Sequence, residues 1–237
     1  MAQLDTIRLP DGREVRPGDW TCTPLYSTVE IDDAATLADL NAFSYGIGGD
    51  VPGSTGPRAS DHSDTNMQGQ GSVLSENEEL LIFGLCIELL QFVGESTTNF
   101  FAAQEAWAPD PPLLSATNCQ RVLMDTLVEM WIASTKNYLA IPIGFLPGAR
   151  GVYLDFGSAR TEGSAYLESP WVGYNGNVSE HMHRRFATPQ QVGGGEAFSI
   201  KFRFPFGSVR NLDFGNDTTA RILARVYTRG ARKRPVA

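Results

Sequence analysis

The sequence predicts a mainly β chain folded as a jelly-roll-like antiparallel β-sandwich, with long loops and one or two short helices. Three observations carry that expectation. Apolar residues recur at every second position in several segments, as they do on strands that bury one face. Glycine and proline, 24 and 14 of 237 residues, punctuate the chain into short runs. No strand–helix rhythm and no repeat of fixed period runs along it. About eight strand candidates joined by long irregular connections favour Greek-key or jelly-roll sandwiches over meanders of tight hairpins. One sandwich can use a chain of this length, and no linker divides it, so a single domain spanning 1–237 is expected.

Taken in order, residues 1–24 read as extended and loop-rich. Pro10-Asp11-Gly12 and Pro17-Gly18-Asp19 supply the fixed φ and permissive glycine of tight turns. Tyr26 to Ile31 alternates with β-branched residues, and Ala42 to Ile47 alternates again, so each is expected to be a strand. Residues 48–75 are rich in Gly, Ser, Asp, Thr and Pro with few large apolar side chains, which predicts a long exposed loop ordered by neighbours. The apolar run 80–93 fits a helix or a strand. Ser75 and Glu78 match a capping box and leucine is abundant, yet Phe83, Leu85, Ile87 and Leu89 would form one face of a long strand. Strand is preferred. Residues 94–118 read as a further loop, because Ala108-Pro109-Asp110-Pro111-Pro112 removes backbone donors. Residues 120–133 are ambiguous: Leu123, Leu127 and Trp131 fit helical spacing, while Val122, Met124, Val128, Met130 and Ile132 fit alternation.

The C-terminal half has a plainer pattern. Leu139, Ile141, Ile143 and Phe145 alternate around Pro142, which suggests an edge or bulge position. Residues 151–156 form the next strand candidate. Phe198, Ile200, Phe202, Phe204 and Phe206 make the strongest period-2 series, opposite Ser199, Lys201 and Arg203. The last strand, 220–229, places Ile222, Ala224 and Val226 inside and Arg221, Arg225 and Arg229 outside, followed by a basic tail, 229–237, with Arg232, Lys233 and Arg234.

Composition narrows the function classes. With 42% hydrophobic and 19% charged residues the chain is too apolar for disorder, and no apolar run is long enough to span a bilayer. The start Met1-Ala2-Gln3-Leu4-Asp5 lacks the features of a secretory signal, so a soluble protein without export is expected. Cys22, Cys86 and Cys119 are far apart and odd in number, which predicts reduced thiols. Residues 1–183 hold 8 basic and 24 acidic residues, and 184–237 hold 11 basic and 3 acidic. The basic end is of a kind that contacts phosphates or an acidic surface, so Arg221, Arg225, Arg229, Arg232, Lys233 and Arg234 are candidate contacts to nucleic acid, a membrane or another subunit.

Catalytic and metal signatures find little support. His181 and His183 share a strand face at metal-ligand spacing, as in the first motif of the cupins, but Arg184, Arg185 and Phe186 stand where a carboxylate should follow. Asp61-His62-Ser63-Asp64 has the residue types of a hydrolytic triad, whose members meet in space and not in sequence. Gly193-Gly194-Gly195 lacks the Lys-Ser/Thr of a phosphate loop, and the Glu76, Glu78 and Glu79 group reads as a solvated segment end. Trp107, Trp131, Trp171 and Tyr174 are candidates for a sugar-stacking platform, weighed against core or subunit contacts. The expectation is no catalytic residue, no metal, no cofactor and no small-molecule substrate.

The alternating strands from Tyr138 to Thr228, the glycine-rich stretch 43–74, the acidic body and the basic end together resemble a jelly-roll capsid protein of a tailless icosahedral bacteriophage. That resemblance implies a non-enzymatic, self-assembling virion component of the single-barrel type, assembled in the host cytoplasm. Its partners would be many copies of itself, other virion proteins, and the genome or an anionic lipid. A carbohydrate-binding or cupin-like jelly-roll module or enzyme, or a phage tail or accessory protein, stands as the alternative.

Overall fold

The computed structural model describes residues 7–8, 12, 14–16, 20–32, 38–54, 58–67, 71–92, 111–133, 136–146, 153–154, 158–160, 166–168, 173–174, 184–212, 214 and 221–233. The protein is a mainly β sandwich with one α-helix among these residues. Two short strands, β1 (Ile7–Arg8) and β2 (Glu14–Val15), pair with each other, and β3 (Trp20–Thr21) follows.

Eight strands build the two main sheets: β4 (Leu25–Ile31), β5 (Leu40–Ala42), β6 (Glu79–Phe92), β7 (Leu127–Ile132), β8 (Lys136–Pro142), β13 (Arg184–Val192), β14 (Phe198–Arg203) and β15 (Arg221–Lys233). In the first sheet β4 pairs β15, β15 pairs β6 and β6 pairs β13. The second runs β5-β14-β7-β8. If the eight are counted along the chain, the sheets read 1-8-3-6 and 2-7-4-5, all antiparallel, which is the order of a double-sheet jelly roll. Between β8 and β13 lie β9 (Tyr153–Leu154), β10 (Ser158–Arg160), β11 (Tyr166–Glu168) and β12 (Gly173–Tyr174). β12 and β9 extend the first sheet beside the second half of β6, and β10 and β11 pair separately.

The core lies between the sheets. Phe198, Ile200 and Phe202 of β14, Val128, Met130 and Ile132 of β7, and Leu25, Val29 and Ile31 of β4 meet Ile222, Ala224 and Val226 of β15 there. The period-2 reading of β14 and β15 holds, but the phenylalanine series stops early. Phe204 is buried, whereas Phe206 follows in a turn and is 58% exposed.

β6 is a strand, as preferred, but its faces change phase. Arg229 opposes Gly84 and Gly230 opposes Ile82, which leaves Phe83 unopposed, and β13 breaks register at the same point. One extra residue flips every later side chain, so the core face is Leu80 and Ile82 and then Leu85, Ile87 and Leu89, without Phe83. The bulge brings Gly230 against the Leu81 carbonyl, where a Cβ would collide with backbone. Gly230→Ala is therefore expected to cost about 1–3 kcal/mol, the usual penalty of overpacking. An unchanged denaturation midpoint would mean that the bulge relaxes at no cost.

The other ambiguous run is both things in turn. α1 (Pro111–Asp125) ends at the point where β7 begins, and Cys119 and Val122 enter the core cluster. Over 111–118 this corrects the loop expected at 94–118, whose remainder, 94–110, lies outside the described residues. Pro111 and Pro112 start the helix, a place where their missing donors have no helical partner to lose. Strand β8 ends at Pro142, at one edge of its sheet, and a 3-10 turn (Ile143–Phe145) replaces the rest of the predicted strand.

Residues 42–47 do not continue as a strand. Phe43 adopts φ 65° and ends β5, with its ring buried 5.2 Å from that of Phe198. The segment that follows, expected to be an exposed loop, closes the edge of β4. The Tyr45 hydroxyl donates to the Thr28 carbonyl and accepts from the Thr28 N–H. The Glu30 N–H donates to the Pro52 carbonyl and the Tyr26 N–H to Asn66 Oδ1. Ser60, Asp64, Thr65, Met67 and Leu74 are buried within 48–75. An open strand edge is an aggregation hazard, and this one is covered by side chains and turns.

Candidate functional site

The candidate cations lie on the outer face of β15, where period-2 geometry puts Arg221, Arg225 and Arg229 in one row. Their neighbours are β4 on one side and β6 on the other, so carboxylates from the acidic first part of the chain line the row. Arg221 pairs with Glu30 at 3.4 Å and Arg225 with Glu88 at 3.6 Å. Arg225 also donates to Thr28 Oγ1 at 3.1 Å, and the Tyr227 hydroxyl donates to Glu88 at 2.9 Å. Arg229 is half-buried.

The segment expected to be a basic tail from residue 229 is not a tail through Lys233. Residues 229–233 are the last rungs of β15, paired with β6, and Arg232 and Lys233 also pair with β3. Arg232 holds Glu78 at 2.6 Å and Lys233 holds Glu79 at 3.5 Å. Ser75 and Glu78 bond each other in the turn ahead of β6 and cap no helix. Arg234 lies outside the described residues.

Sequence reasoning missed the centre of this face. Arg58 donates to Glu30 at 2.6 Å and makes a two-pronged contact to Asp64 at 2.8 and 3.0 Å. Glu30 and Asp64 are 1% and 2% exposed. Burial works against the Arg58 charge, but the Asp64 and Glu30 carboxylates outweigh it and raise its pKa. The same balance, with Tyr227 and Glu88 as partners, raises that of Arg225. Burial pushes the Tyr227 phenol up to about 12, so it stays a neutral donor. One signal was available: Arg58 is the only Lys or Arg between Arg16 and Arg121.

The other candidates have local explanations. In Asp61-His62-Ser63-Asp64, the Ser63 N–H donates to Asp61 Oδ1 at 2.6 Å and the Asp61 N–H to Asp64 Oδ2 at 3.2 Å, so the residues build a turn. Trp131 donates its indole N–H to Glu129 at 2.8 Å, and the Lys201 ammonium stands 5.5 Å from its ring centroid. Gly193 to Gly195 join β13 to β14, with Gly195 at φ 73°. Tyr174 stands opposite Leu90 in the ladder. His181, His183, Trp107 and Trp171 lie outside the described residues. Cys22 is an exposed free thiol, and burial pushes the Cys86 and Cys119 thiols to about 12, where they do not ionise. Among the described residues no group of three His, Cys, Asp or Glu is placed to hold a metal ion, and no helix is long and apolar enough to cross a membrane.

At one end of the sandwich Asp125, the last residue of α1, takes three hydrogen bonds from Arg210. Those bonds offset the unfavourable place of a carboxylate at a helix C-terminus and lower its pKa below the ordinary 3.8. A depressed carboxylate stabilises the fold above its unfolded pKa and stops doing so as pH falls through the folded one. Asp125→Asn should therefore lower Tm at pH 7, with the gap from wild type closing as pH falls below the ordinary carboxylate range. A gap independent of pH would show that the ion pair is not its cause.

No protein-family model and no curated protein matches this chain.

Proposed function

We propose that the chain is a structural, self-assembling protein, a component of a virion shell held together by contacts between copies. Jelly rolls of this strand order serve as shell subunits, lectin domains and cupins. The observation that favours the first is the packed interior. Phe43, Phe198, Phe202 and Met130 fill the space between the sheets, where a cupin-like site would have to open. Of the residues considered for a sugar platform, Trp131 is engaged by Glu129 and Lys201.

Contact with nucleic acid, an anionic lipid or an acidic neighbour belongs to the same proposal, with a narrower footing. Arg221, Arg225, Arg232 and Lys233 are each held by a carboxylate of their own chain, so such a contact would have to draw on cations that already have partners. Sedimentation velocity with negative-stain microscopy of the purified chain tests the proposal. Large closed particles or defined oligomers are expected. A chain that stays a compact monomer at high concentration would overturn it, and binding or turnover of a small molecule would point to the alternative.

A further inference from the structure

We infer that the end of the sandwich where Met124, Phe145 and Phe206 reach the surface is a contact between copies of this chain. The inference rests on the assembling role proposed above and adds where the copies meet.

The three residues come from different connections. Met124 is in the last turn of α1, Phe145 is in the 3-10 turn after β8, and Phe206 is in the turn after β14. They converge because Leu127, where β7 starts, stands opposite Pro142 of β8 and Arg203 of β14, so all three connections leave the sheet at one end. The Ile143 N–H donates to the Thr126 carbonyl at 3.0 Å. Arg210 joins the third connection to the first: its guanidinium lies 4.0 Å from the Phe206 ring centroid and pairs with Asp125 at 2.7 Å.

Met124, Phe145 and Phe206 are 73%, 60% and 58% exposed. Single exposed apolar residues are ordinary, but three at one end of the sandwich, with Met124 and Phe206 beside the Asp125–Arg210 pair, make a patch. At ~200 Å² for a large side chain they offer on the order of 400 Å² of apolar surface. Asp125 and Arg210 pair within it, and Arg121 stands close enough to act on Asp125, so the patch carries no excess of negative charge. Copies of a chain with net charge −8 repel each other overall, and an apolar surface free of that excess is where they can meet at least electrostatic cost. A stable pair of proteins buries about 800 Å² on each partner, roughly twice what this patch supplies. Such a surface suits a contact repeated around a symmetry axis, where each copy is held by two neighbours.

The test compares the full-length wild type, the triple variant M124S/F145S/F206S and the control I47S/V73S by sedimentation velocity, with thermal melting of each. Ile47 and Val73 are exposed elsewhere, Val73 beside Ala197 at the opposite end of β14. Wild type and control should sediment as assemblies, and the triple variant as a monomer with an unchanged melting curve. A triple variant that assembles like wild type overturns this contact and leaves the shell proposal standing. A wild type that stops at defined oligomers, lost in the triple variant, sustains the contact and the assembling role alike. A wild type monomeric at every concentration overturns both.

Discussion

Arg58→Ala is expected to lower the free energy of unfolding by about 3–5 kcal/mol, the usual result of removing one partner from a buried ion pair. The side chain of Arg58 is itself one-third exposed, which alone would suggest a small effect, since exposed pairs contribute about 0–1 kcal/mol. The partners decide otherwise. Asp64 and Glu30 are almost wholly buried, and without Arg58 the nearest cation to Glu30 is Arg221 at 3.4 Å. The stranded carboxylates would push apart the turn 58–67 and the β4 edge that it covers, so limited proteolysis should cut first between residues 50 and 66. Arg58→Lys should recover only part of the loss, because an ammonium cannot reproduce the two-pronged contact to Asp64. Combining Arg58→Met with Asp64→Asn should recover more, since Glu30 keeps Arg221 as its partner and the Asp64 charge is gone. A loss below 1 kcal/mol for Arg58→Ala would mean that water reaches these carboxylates.

The same cluster shows where sequence reasoning reaches its limit. β14 and β15 were legible because one face of each is buried and the other is not, and period 2 records that directly. The arginine row was legible as a position but not as a chemistry. Its partners, Glu30 and Glu88, lie far back in the chain, and only the ladder register brings them alongside. The cover over β4 left no apolar pattern because Tyr45, Asn66 and Thr65 hold it through hydrogen bonds to backbone. The bulge at Phe83 was equally hidden, since its cause is the register of two neighbouring strands. At Pro111 the rule that prolines break helices was applied one turn too far into the helix's own start.

Phe202→Ala should cost about 3–5 kcal/mol, while Phe206→Ala should leave unfolding within about 0.5 kcal/mol of wild type. Both belong to one alternating series, so residue type and spacing assign them the same role. Position in the fold separates them. Phe202 is fully buried, with Val128 and Leu40 as its ladder partners on either side, and the sheets cannot close over the space it would leave. Phe206 stands in the turn beyond the strand, with Arg210 over its ring. The cavity made by Phe202→Ala would be lined by hydrocarbon, so it should stay dry and take up xenon or benzene, which would recover part of the lost stability. A polar ligand such as a sugar should recover none. If a sugar did stabilise the variant, or the wild type, the interior would be a binding site and the packed core would lose its place as the support for an assembling role. Equal losses at the two positions, in contrast, would mean that Phe206 turns inward with the rest of its series and that the end face is less apolar than its exposure indicates.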